Sequence, residues 1–230
     1  MTRPGKVIFI TGTDTDVGKT VLSLLVMRAL AGRDAVYLKP VQTGCVDPGA
    51  DSDPAFLHRH LPGGLPAGMK PADCIHSLRP LPKAPLFAGD PVDFKSLVDF
   101  ITGYAARHDT VVVEGAGGIL VPITADKTML DLALTTRSSI LVAGRAGLGT
   151  INHSLLTFEA IAARGAGCLG AVLLDPTEAV AETDRIENCK AIELFSGRRV
   201  HGVIGRIQDP SHPDPRHMAC VRRLLSPVTD

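Results

Sequence analysis

An α/β fold with a doubly wound, mostly parallel sheet is what this sequence predicts, on three observations. Short apolar runs recur along its 230 residues, and most are apolar throughout instead of alternating, as strands buried on both faces require. Stretches of helical length and helical periodicity separate them. The first run, Val7-Ile8-Phe9-Ile10, feeds directly into a glycine-containing loop and a helix, which puts a ligand at the carboxyl ends of the strands.

The first strand is read over 6–11, and the loop after it is Gly12-Thr13-Asp14-Thr15-Asp16-Val17-Gly18-Lys19-Thr20. Gly12 and Gly18 let backbone N–H groups turn toward phosphate oxygens, Lys19 adds a point charge, and the Thr20 hydroxyl can ligate Mg²⁺. The whole segment from Gly12 to Thr20 is therefore a candidate nucleotide triphosphate site, and the fold is P-loop NTPase-like. Five residues stand between Gly12 and Gly18 where the common loop has four, so the loop is a deviant one and a generic GTPase is disfavoured. A helix is expected over 19–31. The second strand, 35–39, runs into Lys39-Pro40-Val41-Gln42-Thr43-Gly44 and brings a second lysine near the phosphate loop.

Residues 44–92 break the alternation, with nine of the 17 prolines, several glycines and only a short helix near 53–60. A stretch of that length without regular structure is read as a substrate-covering loop region, not a separate domain, so residues 1–230 are expected to form one domain. A helix over 94–107 puts Phe94, Leu97, Val98, Ile101, Tyr104 and Ala105 on one face. The strand 110–114 ends in Val113-Glu114-Gly115-Ala116-Gly117-Gly118. An acid at a strand end can hold Mg²⁺, directly or through water, and the glycines let a ligand approach the backbone. Strands over 139–143, 170–174 and 200–204 and helices over 151–164, 183–195 and 216–225 complete the pattern.

Twenty-four basic and 24 acidic residues cancel, so no overall positive field attracts nucleic acid or an anionic membrane surface. No run approaches membrane-spanning or secretory length, and a cytoplasmic address is expected. The five cysteines are dispersed and read as reduced thiols. His58 and His60 lie close to Asp51 and Asp53, but read as exposed histidines on a short helix and not as a transition-metal cluster. Arg216, Arg222 and Arg223 read as a solvated helix face.

Gly-Thr-Asp-Thr-x-Val-Gly-Lys-Thr, Lys-Pro-Val-x-Thr-Gly, Val-Glu-Gly-Ala-Gly-Gly and Leu148-Gly149-Thr150-Ile151-Asn152-His153, in this order, closely resemble the dethiobiotin synthetases, ATP-dependent ligases of biotin synthesis. The likeness covers about the first 175 residues, and the last 55 or so match only in outline. It implies a reaction of 7,8-diaminopelargonate, CO₂ and ATP, with Mg²⁺ as cofactor, in a homodimer whose site needs both subunits. By position it implies Thr20, Asp53 and Glu114 as Mg²⁺ ligands and Lys19 and Lys39 as catalytic lysines. It implies nucleotide contacts from Gly12 to Thr20 and at Leu174 and Asp175. Substrate contacts fall at Thr15, Lys39, Thr43 and Gly118 and, across the dimer, at Gly149, Thr150, Ile151 and Asn152. Where some relatives read adenine with Asn, this chain has Leu174, and Gly205-Arg206-Ile207-Gln208 stands for a Pro-containing loop, which leaves the nucleotide preference open. Asp16 replaces a Glu, and Leu86 stands where many members have His. A partition-ATPase switch shares such a loop but carries a lysine where Asp14 stands here. An iron–sulfur carrier would need bridging cysteines, and an amide ligase of cobalamin synthesis would need a second domain.

Overall fold

The unbroken apolar runs become parallel strands. The computed structural model describes residues 4–229, with side chains as far as Leu225. In chain order the elements are β1 (Lys6–Gly12), α1 (Lys19–Ala29), β2 (Ala35–Leu38), β3 (Val41–Thr43), α2 (Asp53–His60), β4 (Ser77–Arg79), α3 (Phe94–Ala105) and β5 (Thr110–Gly118). They continue as α4 (Met129–Thr135), β6 (Ser139–Arg145), α5 (Thr150–Ala163), β7 (Cys168–Leu174), α6 (Glu182–Ser196), β8 (Val200–Ile204) and α7 (Pro215–Thr229).

Six strands form one parallel sheet in the order β2-β5-β1-β6-β7-β8. From β1 the chain first builds outward on the β5 and β2 side and later on the β6 side, so a crevice opens at the carboxyl end of β1. α1 packs on α7, and α5 packs on α6. Ile8, Phe9, Ile10, Val111, Val112, Val113, Leu141 and Val172 are buried in the core cluster, as strands covered on both faces must be.

Local chemistry sets the helix ends. Asp93 accepts from the Ser96 N–H at 3.2 Å and starts α3, whose Leu97, Ile101 and Ala105 are buried at four-residue spacing. Thr128 and Asp131 form a reciprocal capping box that starts α4, a seven-residue helix the periodicity of the sequence does not reveal. The other predicted strands and helices are present with ends moved by a few residues; β5 runs on to Gly118, through the glycines that had been read as loop.

The 44–92 segment differs from its expectation. α2 is where the sequence put it, but β4 pairs in parallel with β3, Val41 opposite Ser77 and Thr43 opposite Arg79. Leu57, Leu61, Leu65, Met69 and Cys74 join the core cluster. Much of this stretch is thus packed flank, with short helical turns beginning at Pro66, Pro71 and Pro85.

Candidate nucleotide and metal site

The phosphate loop leads from β1 into α1, and its geometry follows from two glycines and one aspartate. A Cβ on Gly12 would stand 2.4 Å from the Asp14 carbonyl oxygen and 3.1 Å from Lys19 Nζ, so only glycine lets the loop fold back over that point. Gly18 is the N-cap of α1 at φ 91°, and Asp16 is also left-handed at φ 53°. α1 has no side-chain cap and no acid in its first turn. Its free N–H groups and positive dipole end therefore face the loop, ready for an anion. Lys19 is buried, with Nζ donating to the Asp14 carbonyl at 3.1 Å. Burial, then the neighbouring Lys39 charge, lower its pKa from the ordinary lysine value.

Beside the loop, Thr20, Asp53 and Glu114 converge from α1, α2 and β5. Thr20 Oγ1 lies 3.0 Å from Asp53 Oδ1 and 3.0 Å from Glu114 Oε1. One hydroxyl proton serves one of these acceptors at a time, so two carboxylate oxygens crowd one hydroxyl. Adjacent oxygens in an octahedral Mg²⁺ shell, each about 2.1 Å from the ion, lie about 3.0 Å apart. This all-oxygen set fits that hard cation in both chemistry and spacing.

Lys39 reaches into the same cluster. Its Nζ is 2.7 Å from Asp53 Oδ2, 2.9 Å from Glu114 Oε1 and 3.1 Å from the Gly115 carbonyl oxygen. Burial opposes its charge, but the Glu114 and Asp53 carboxylates outweigh that and raise its pKa above the usual lysine value. Burial likewise opposes ionisation of Asp53, and the Lys39 charge overcomes it, holding the carboxyl below its ordinary range. Buried Glu114 and half-buried Asp53 are thereby balanced by two buried lysines, Lys19 and Lys39.

Four further residues serve this cluster and the adjoining loop, and the sequence does not disclose them. Ser23 Oγ and Tyr37 Oη donate to Glu114 Oε2 at 2.7 and 2.9 Å, which leaves Oε1 to Thr20 and Lys39. Gln42 Oε1 accepts from the Asp53 N–H at 3.0 Å and fixes the start of α2 against β3. Arg145, at the end of β6, donates to the Thr15 carbonyl at 3.2 Å and lies 3.5 Å from the Asp14 carboxylate.

A groove of about 420 Å³ runs beside the loop, lined by Gly12 to Thr15 and Gly118 on one side and by Leu120, Val121, His153 and Leu156 on the other. The structure brings Thr15 and Gly118 together here. Thr43 and the Gly149–Asn152 segment do not line it; Gly149 instead caps α5 at φ 88°, with no side-chain cap and no acid in the first turn.

The two strand-end residues implied for the nucleotide divide. Leu174 abuts the phosphate loop, since a Cβ on Gly18 would stand 2.5 Å from its Cδ2. Asp175 is buried, its Oδ2 accepting from Arg185 at 2.7 Å and the Val180 N–H at 3.1 Å and its Oδ1 from Thr177 Oγ1 at 3.3 Å. Through Oδ2 it anchors α6 and the loop before it, while Oδ1 takes one bond only among the described residues and keeps acceptor capacity. His58 accepts from the Leu65 N–H and His60 pairs with Ser211; among the described residues no three His, Cys, Asp or Glu side chains gather as a metal site. The five cysteines are free, and no described helix is long and apolar enough to cross a membrane.

Comparison with known proteins agrees with this architecture. A family described as an AAA domain matches residues 6–214. Among solved structures, MinD cell division protein of Aquifex aeolicus covers 98% of both chains with a TM-score of 0.58 at 13% identity. A ParA family ATPase of Chlorobium tepidum TLS covers 98% of this chain and 93% of its own, with a TM-score of 0.54 at 12% identity. At that identity these share the fold alone. The ATP-dependent dethiobiotin synthetase BioD of Anaeromyxobacter sp. (strain Fw109-5) is 42% identical over 208 residues, 88% of this chain and 91% of its own. That of Bacillus cereus (strain B4264) is 36% identical over 204 residues, 85% and 81% of the two chains. With a phosphate loop, a lysine-balanced acid cluster and these relatives along most of its length, the chain belongs to the ATP-dependent dethiobiotin synthetase family.

Proposed function

We propose that the protein joins 7,8-diaminopelargonate and CO₂ into the cyclic urea dethiobiotin, with ATP and Mg²⁺. The observation that carries this reading is the convergence of Thr20, Asp53, Glu114, Lys19 and Lys39 beside the phosphate loop, whose Gly12 to Thr15 line the groove. The groove has polar loop groups at Thr13 to Thr15 and apolar walls at Leu120, Val121 and Leu156, which suits an aliphatic chain with a polar head. No side chain here is placed as an attacking nucleophile, and the reaction needs none.

The free amine, not the ammonium, has the lone pair that captures CO₂. Nearby lysine charges disfavour a further cation and so lower the amine's pKa, then favour the carbamate anion that forms as the amine loses its proton. A carbamate oxygen attacks the γ-phosphorus and ADP departs; Lys19 and the free N–H groups of α1 hold the phosphates in line. Bound Mg²⁺, held by Thr20, Asp53 and Glu114, supplies neutralisation of triphosphate charge. The second amine then attacks the carbamoyl carbon, the ring closes and phosphate leaves.

The uncapped N-terminus of α5 at Gly149–Asn152 suits a carboxylate, and in this reading it serves the site of a second copy. Exposed Leu120 and Leu156 beside the groove, with exposed Leu148 next to Gly149, supply the apolar surface for that homodimer. The test is acid-stable incorporation of labelled bicarbonate by the purified protein with Mg²⁺, ATP and 7,8-diaminopelargonate. Incorporation that depends on the diamine is the expected result. Nucleotide hydrolysis without the diamine, and no incorporation with it, would overturn the reading.

A further inference from the structure

Building on the nucleotide reading above, we propose that Glu178 specifies the base, selecting nucleotides whose base carries an amino group, not a carbonyl oxygen, at C6 of a purine or C4 of a pyrimidine. The position of the base follows from the fold. Leu174 at the end of β7 touches Gly18, and Leu174 pairs with Ile204 at the end of β8. A base tethered through its ribose to phosphates on the loop therefore lies over the ends of β7 and β8, where the segments after Leu174 and Ile204 rise.

Besides the exposed Arg206, a donor, the groups available there are few. Leu174 has no donor or acceptor in its side chain. The Asp175 carboxylate is buried and turned inward to Arg185, Val180 and Thr177. The Gly205 N–H, which a backbone-reading loop would offer, donates to His217 Nε2 at 3.3 Å. Glu178 remains: it is exposed, and its carboxylate takes part in no hydrogen bond or ion pair among the described residues. Its Oε1 lies 3.1 Å from the point where a Cβ on Gly205 would stand, which places the carboxylate over the β8 end. The turn is closed by the Glu178 N–H on the Asp175 carbonyl at 3.1 Å, with Glu178 in the left-handed region at φ 54°. That conformation is disfavoured for any residue with a Cβ, and here it is held by the turn.

A carboxylate only accepts. Against an apolar Leu174 it rewards the N6 amino group of adenine or the N4 amino group of cytosine, and it repels the carbonyl oxygen that hypoxanthine or uracil presents at the same place. The selectivity lost at Leu174 is thus restored one turn later, by a different group on the same strand-end loop.

The test is calorimetric binding of MgATP against MgITP and of MgCTP against MgUTP, pairs that share ring shape and differ at that one edge. Wild-type protein is expected to bind ATP and CTP about tenfold more tightly than ITP and UTP, as one charge-assisted hydrogen bond would give. Glu178→Gly, which suits the left-handed turn and removes the carboxylate, is expected to bring both ratios to about one. Its thermal midpoint is measured alongside, and each ratio is internal to one protein, so a general loss of folding does not mimic the result. Equal binding within each pair by the wild type, or ratios unchanged in Glu178→Gly, overturns the proposal and leaves the nucleotide site intact. Preference for ITP and UTP also overturns it, and points to donors such as the exposed Arg206. Binding of no nucleotide, or binding unaffected by Lys19→Ala, would instead sink the nucleotide reading itself, and this proposal with it.

Discussion

Tyr37→Phe removes a single oxygen from the most enclosed part of the site. Tyr37 is fully buried in β2, and its hydroxyl donates to Glu114 Oε2 at 2.9 Å. Phe fills the same space, so packing is kept and the change reports the hydrogen bond alone. A bond to a charged acceptor is worth about 1.5–3 kcal/mol, and for a chain of this size each kcal/mol moves the midpoint by about 2–4 °C, so a fall of about 3–12 °C is expected. Ser23 Oγ donates to the same oxygen at 2.7 Å, so Ser23→Ala should cost a similar amount, and the two effects should not add. The assay is a double-mutant cycle by thermal and urea unfolding, with turnover at graded Mg²⁺ as a second readout. Loss of either donor frees the carboxylate to rotate, and a higher Mg²⁺ concentration is expected to be needed for half-maximal rate. A midpoint for Tyr37→Phe within about 1 °C of wild type, with strict additivity in the double mutant, would refute the claim that the two donors orient Glu114.

Lys39→Met leaves Asp53 and Glu114 without their shared ammonium; the cost is about 3–5 kcal/mol, and added Mg²⁺ should raise the melting point of the variant more than that of wild type. Equal Mg²⁺ shifts in the two proteins would show that the cation does not bind between those acids. Gly18→Ala meets Leu174 Cδ2 at 2.5 Å and a φ of 91°, so MgATP affinity should fall at least about tenfold by calorimetry; adding Leu174→Ala relieves the contact but not the backbone, and recovers only part. Asp131 is resisted by burial, but the Thr128 N–H and Arg164 hold its pKa down to about 2. A depressed carboxyl contributes stability above its unfolded value of about 3.9, and that contribution fades as pH falls toward about 2. Unfolding of Asp131→Asn between those limits should therefore be less pH-dependent than that of wild type.

What the sequence made legible was local in the chain. The phosphate loop, the two lysines and the strand-end acid each sit in a short segment whose turn chemistry names the group it serves. Asp53 came from resemblance alone, because its partners Thr20 and Lys39 are brought to it by α2 folding back over β3. β4 was missed since three residues between prolines carry no period, and α4 since its seven residues are too few to show one. In 44–92 the prolines signalled turns correctly but gave no sign that Leu57, Leu61, Leu65 and Met69 between them would pack into the core.

Tyr37 and Ser23 show where such reading stops. Tyr37 pairs with Val112, so the residue on the same face two positions further along β5 is Glu114, a diagonal neighbour within reach of a long side chain. Ser23 meets Glu114 because it lies one turn beyond Lys19 on the buried side of α1. In the sequence they are an unremarked tyrosine in an apolar run and a serine among leucines. Their value is conferred by the register of β2 on β5 and the roll of α1 on the sheet, two quantities no single segment encodes. A buried carboxylate at a strand end nonetheless carries a requirement that can be read in advance: one oxygen facing a ligand obliges the other to find donors inside the fold. For Glu114 that obligation could be met only from the neighbouring strand or the covering helix, and a hydroxyl-bearing residue on either was the signal to look for.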